Sequence, residues 1–136
     1  MPDIIQRRAQ HAWTKVNEAK HNERIDEGKY QTWAQKLPSL ISQCGILPTL
    51  AFLQAKKGEQ ASVGEACAEW LLNANGGAAL VPWTREQDDI ISRLMNEDSR
   101  VYRAAQAEAI RWAIWLKRFA EGYLEDVGAS SPTAHA

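Results

Sequence analysis

With 136 residues, 45% of them apolar and 24% charged, the chain has the size and composition of one folded domain, and it is too apolar to be a disordered one. A formal net charge of -1 excludes the global cationic field of a protein that captures free nucleic acid unaided, so any phosphate contact has to be local. Two cysteines, Cys44 and Cys67, without CxxC or Cys/His spacing, point to buried thiols in a reducing compartment and to no disulfide or zinc site. The start, MPDIIQRRAQ, lacks a signal-peptide core, and no apolar run approaches the roughly 18 residues of a membrane span; a cytoplasmic location is expected.

Helical periodicity begins at once. Ile5, Ala9, Ala12, Trp13, Val16 and Ala19 recur mostly at spacings of three and four, with Asp3 placed to cap them. After a polar break at 21–24, a second run carries Tyr30, Trp33, Ala34, Leu37, Leu40, Ile41 and Cys44. Pro38 within it is expected to kink the helix or restart it. Gly45 suits a C-terminal cap, Pro48 a first turn, and 49–57 a third helix closed by Gly58. Ser62-Val63-Gly64-Glu65 has the form of a capping box opening a fourth helix, which buries Val63, Ala66, Cys67, Trp70 and Leu71 and ends at Asn75-Gly76-Gly77.

Pro82-Trp83 and a second box, Thr84-Arg85-Glu86-Gln87, lead to a fifth helix with Ile90, Ile91, Leu94 and Met95. Asp98 or Ser99 then caps the last and longest helix. At roughly 100° per residue, Tyr102, Ala105, Ala109, Trp112, Ala113, Leu116, Ala120 and Tyr123 share one arc of it, which has to face a core. No segment alternates apolar and polar residues as a strand does. The expected class is all-α: a single-domain bundle of about six helices with a long C-terminal helix, spanning 1–127, followed by a flexible tail at 128–136. Most of the six tryptophans, at 13, 33, 70, 83, 112 and 115, are expected in the core, each contributing about 2 kcal/mol through buried area.

Catalytic chemistry is thinly represented. The histidines are His11, His21 and His135, the last in the tail; there is no His-x3-His, and Glu18 with His21 forms one Glu-x-x-His where a di-iron bundle wants two. Cys44 has no local base. Glu86, Asp88 and Asp89 suit the positive end of a helix dipole, and Gly76-Gly77 follows no strand and precedes no GK[ST]. No enzyme, metal or cofactor is expected. The positive signal is cationic. Lys29 and Lys36 stack at the border of the face that bears Trp33, Lys56 and Lys57 end the third helix, and Arg103, Arg111, Lys117 and Arg118 gather on the last helix opposite its apolar arc, with Arg100 before them. They form either a solvated surface or a phosphate-binding stripe. Ile110, Ile114 and Trp115 fall outside the arc; either another helix covers them or they await a partner.

Two blocks carry a resemblance. Leu37, Pro38, Leu40, Ile41, Gly45, Leu47, Thr49, Leu50, Ala51 and Phe52 reproduce LP-x-LI-x3-G-x-L-x-TLAF. Tyr102, Arg103, Glu108, Ala109 and the run Trp115-Leu116-Lys117-Arg118-Phe119-Ala120 reproduce YR-x4-EA-x5-WLKRFA. In order and spacing the chain resembles the small α-helical subunit of the Cmr (type III-B) CRISPR RNA-silencing complex. The resemblance implies a non-catalytic subunit that stacks in several copies beside the backbone subunits, near guide RNA and target RNA, with catalysis left to other subunits. Its expected partners are those subunits, further copies of itself and the two RNAs, with no membrane. The expected RNA-facing set is Lys29, Lys36, Lys56, Lys57, Arg103, Arg111, Lys117 and Arg118, and Ile114 and Trp115 are the expected partner contacts. Where the family is often cationic, near Ser42 and Gln43, this chain is neutral. A helical adaptor that binds only protein, and more remotely an enzyme using Cys44, are the competing readings.

Overall fold

Asp3 opens the first helix as its position requires: its carboxylate accepts from the Gln6 N–H, and the Gln6 side chain accepts from the Asp3 N–H in return. In the computed structural model, which describes residues 3–78 and 90–125, this helix, α1, runs Ile4–Lys20. Asp26 caps α2, Glu27–Cys44, through the Lys29 N–H. Gly45 (φ 92°) turns the chain into α3, Ile46–Gln54. Then come α4, Glu59–Ala78, and α5, Ile90–Asn96. Finally α6, Ser99–Tyr123, is capped by Asp98 through the Val101 N–H. Among the described residues there is no strand.

The bundle is organised around α6, which packs along α2 and α1 and also meets α4, while α3 lies across α4 and α5. Trp112, Leu116, Ala109 and Ala113 of α6 interlock with Val16 of α1, Leu37 and Ile41 of α2 and Leu71 of α4, all essentially inaccessible to water. Polar side chains tie both ends of α6 to its neighbours. The amide of Gln31 donates to the carbonyls of Ala120 and Leu124 at its C-terminus (3.1 and 3.4 Å). Near its start, Gln106 and Tyr102 accept the Ile46 and Leu47 N–H groups of α3, which has no capping side chain of its own (3.0 and 3.1 Å).

Several expectations need correction. Pro38 does not restart α2, which runs through it to Cys44 while packed on α6. The third helix starts three residues before position 49 and stops at Gln54, so Lys56 and Lys57 lie in the turn beyond it. The fourth starts at Glu59. The Ser62 N–H already bonds the Gly58 carbonyl, which leaves Ser62-Glu65 inside the helix with no free first-turn donors to cap. Asn75-Gly76-Gly77 does not end α4, which continues to Ala78. Ile5 and Trp13, read onto the apolar face of α1, are 55% and 38% exposed; Met95 and Tyr123 are exposed as well. Cys44 is exposed rather than buried, since α2 ends there with nothing packed over it. The second capping box, Pro82-Trp83 and the acidic residues Glu86, Asp88 and Asp89 lie outside the described residues, as does the tail.

Burial separates residues that the helical wheel alone treats alike. Trp112→Ala should cost about 3 to 5 kcal/mol in urea unfolding and Arg111→Ala about half a kcal/mol, with half-buried Phe119→Ala between them. Equal losses would contradict the placement of α6. The thiols separate too. Burial pushes the Cys67 pKa up to about 12, so it stays protonated, and unreactive, until pH rises far above 8. Iodoacetamide at pH 8 should therefore label only Cys44 in the native protein and both cysteines after denaturation, as read by mass spectrometry.

Candidate nucleic-acid interface

The outer face of α6 carries the candidate surface, because the same 3.6-residue period that buries Trp112 and Leu116 turns Arg103, Arg111, Ile114 and Arg118 outward. Lys117 is half-buried at the edge of this face. Among the described residues, none of these four cations has an ion-pair partner within 4 Å. Ile114, 41% exposed, lies beside Arg111, Lys117 and Arg118 and is shared by two grooves. One, of about 450 Å³, runs between α1 and α6 and is lined by Ile5, Arg8, Arg111, Trp115 and Arg118 with Ile114. The other, of about 420 Å³, runs between α2 and α6 past Pro38, Lys117, Arg118 and Glu121. A cationic rim around an apolar floor suits a phosphate chain that also offers bases or ribose for apolar contact.

The structure thus gathers Arg111, Lys117, Arg118, Ile114 and Trp115, and leaves the other expected cations outside the grooves. Lys36 lies over the Trp33 ring, 4.7 Å from its centroid, and that ring stands 5.9 Å from the Phe52 ring of α3. Lys29 is exposed at the start of α2, Lys56 and Lys57 stand in the α3–α4 turn, and Arg103 lines neither groove. Ile110 and Trp115 are half-buried against the core, as intramolecular packing requires, whereas Ile114 is exposed.

Two elements of the surface escaped the sequence reading. Trp115, Phe119 and Tyr123 form a row at i, i+4 and i+8 along α6, joined by Trp13 of α1, whose ring stands edge-on to Tyr123 at 4.6 Å and to Phe119 at 5.7 Å. Its signal was the i+4 spacing, hidden because the wheel sorted these residues into arc and border. The second is Glu108, a carboxylate only 2% exposed in the middle of the apolar arc. Arg8 grips it with two bonds, Nε to Oε2 at 2.5 Å and Nη2 to Oε1 at 2.8 Å, and the Trp70 indole N–H donates to Oε2 at 3.1 Å. The bond to Glu108 outweighs desolvation and holds the Arg8 guanidinium pKa above its ordinary value. Beside this node the Trp112 indole N–H donates to His11 Nδ1 at 3.0 Å. The remaining candidates for chemistry have structural partners. Glu18 pairs with Lys15 at 3.2 Å, and the His21 ring bonds the Asn17 carbonyl at 2.9 Å. No group of three metal-ligating side chains converges among the described residues.

A family model described as CRISPR-associated protein (Cas_Cmr5) matches residues 4–123, from the first residue of α1 to the last of α6. The chain belongs to this Cmr5 family. Among its relatives is the CRISPR system Cmr subunit Cmr5 of Thermus thermophilus, 29% identical over 119 residues, which cover 87% of this chain and 93% of the relative. The crystal structure of a CRISPR-associated Cmr5 family protein from the same organism superposes with a TM-score of 0.74 at 28% identity, covering 91% of this chain and all of that one. The all-helical bundle with its long last helix is therefore the architecture of this family.

Removing the carboxylate that supports the surface should be costly. Glu108→Ala leaves the Arg8 guanidinium and the Trp70 N–H facing a buried void, and a loss of about 3 to 5 kcal/mol is expected in urea unfolding. Glu108→Gln, which still accepts from Trp70, should recover part of it. A loss below about 1 kcal/mol for Glu108→Ala would mean that water reaches the node.

Proposed function

We propose that the protein is a non-catalytic structural subunit of a type III-B Cmr effector, stacked in several copies along guide RNA and target RNA, with the outer face of α6 turned to RNA. The observation that carries this reading is the set of Arg103, Arg111, Lys117 and Arg118, which meet no carboxylate partner among the described residues, the last three of them around an apolar floor at Ile114. Membership of the Cmr5 family supports it, as does the existence of a Thermus relative that is a Cmr subunit. The aromatic row beside the stripe adds faces on which bases can stack.

The net charge of -1 explains how such a protein works only in an assembly. A few phosphate contacts per copy give weak, salt-sensitive affinity for a free chain, whereas stacked copies present their stripes at high effective concentration along one RNA. Ile5 and Ile114, both exposed in the α1–α6 groove, favour a second reading in which this face docks on protein alone.

One experiment separates the two. The four cations of α6 are reversed together to glutamate, native helicity is checked, and the variant is assembled with the other subunits and titrated with target RNA at two salt concentrations. The expected result is weaker capture with a shallower salt dependence, by roughly 0.7 in the log–log slope for each single-strand phosphate that is no longer neutralised. Unchanged affinity and slope would leave the protein-only reading standing.

A further inference from the structure

A pocket of about 210 Å³ lies on a part of the molecule that the α6 surface does not use, between the C-terminal half of α1, the turn after it, the start of α2 and α4; no residue of α6 lines it. Its charge is the opposite of that surface. Among the lining residues Glu18, Glu65 and Glu69 face one cation, Lys15, whose ammonium is already shared by Glu69 and Glu18; Glu69 also lies 3.8 Å from the His11 ring outside the pocket, and Glu65 pairs with no cation among the described residues. Burial opposes the charge on Lys15, yet the bonds to Glu69 and Glu18 outweigh it and hold its pKa up, so the lysine stays cationic and two carboxylate charges remain in excess.

Acidic side chains alone would be a solvated rim; Tyr30 makes the difference. It lines the pocket, is only 3% exposed, and its hydroxyl bonds to nothing among the described residues. The side chain is buried but its hydroxyl is not sealed from solvent: it opens on the pocket, free to bond whatever enters there. Burial, with the nearby Glu18 charge adding to it, pushes the phenol well above its ordinary pKa, so the hydroxyl remains neutral and its oxygen can accept a hydrogen bond. The carboxylates do not converge as a metal ion requires. They are spread around a wall that is apolar at Ala19, Ile25 and Ala66. This arrangement suits an organic cation with several N–H donors on an alkyl stem.

We propose that this pocket binds an alkylguanidinium or alkylammonium head, the chemistry shared by an arginine or lysine side chain and a free polyamine. Glu65 and the Tyr30 oxygen receive its N–H groups, the Glu18–Lys15–Glu69 cluster sets the field, and the small apolar residues cover the stem.

The test uses the full chain at low salt, followed by NMR. Agmatine, spermidine, a glycine-flanked arginine peptide and the same peptide with neutral citrulline are titrated separately. Saturable shifts at the amides of Ala19, Ile25 and Ala66 with the cations, absent with citrulline, are expected. Tighter binding of the peptide identifies a protein side chain as the source, and tighter binding of agmatine or spermidine a small molecule. Glu65→Gln, at an exposed position that leaves the fold intact, should weaken binding by about tenfold, and Tyr30→Phe, which keeps the buried ring, should weaken it too. No saturation, equal binding of citrulline, or an unchanged Glu65→Gln variant would overturn the proposal.

Discussion

A carboxylate cannot remain charged in an apolar core unless its oxygens are occupied, and Glu108 imposes that condition on three helices at once. Arg8 must extend from α1 to reach both oxygens, and the Trp70 indole must present its N–H from α4. This geometry constrains the rotation and axial position of α1 against α6. The buried pair thereby fixes the surface as well: with Arg8 turned inward, Ile5 comes to lie beside Ile114 and Trp115, and the wall of the α1–α6 groove follows. The value of the pair lies in this registration more than in net stability, since desolvation offsets much of its attraction.

Features decided within a few residues were legible in the sequence. The caps at Asp3 and Asp98 depend on a side chain and a backbone amide three positions on, and the buried faces of α4 and α6 follow from period alone. What escaped is what the tertiary context decides. Cys44 continues the apolar period of α2, but no neighbour covers it where that helix ends. Ser62 and Glu65 have the form of a capping box, yet Gly58, at φ 82°, turns the chain one helical turn earlier and uses up the first-turn positions. On the candidate surface, the α6 cations and Ile114 were legible from the wheel. Their union with Arg8 and Ile5 was not, because a wheel drawn for one helix is silent about the next. Glu108 stayed hidden for a related reason: sorting by polarity sends a glutamate outward whatever its angle, and Arg8 and Trp70, 100 and 38 positions away, account for its burial.

The near-zero net charge conceals a separation of local fields. Cations collect on the outside of α6 without carboxylate partners among the described residues, while carboxylates exceed cations around the pocket between α1, α2 and α4. Such a molecule has a preferred orientation in any charged environment, with α6 toward an anionic neighbour and the pocket toward a cationic one. Salt weakens that preference over distances beyond about 10 Å but much less for partly buried groups such as Lys15.

The junction between α3 and α6 bears on the order in which the chain acquires structure. With nine residues and no capping side chain of its own, α3 is too short to persist in isolation, and the acceptors for its first amides, Tyr102 and Gln106, follow 55 and 60 residues later. On a ribosome those acceptors emerge long after α3 itself, so α3 waits for the last helix while α1 and α2, with their own aspartate caps, have local means to start. A nascent chain halted before α6 therefore leaves the first amides of α3 without their acceptors, even though α4 and α5, on which that helix lies, have already been made.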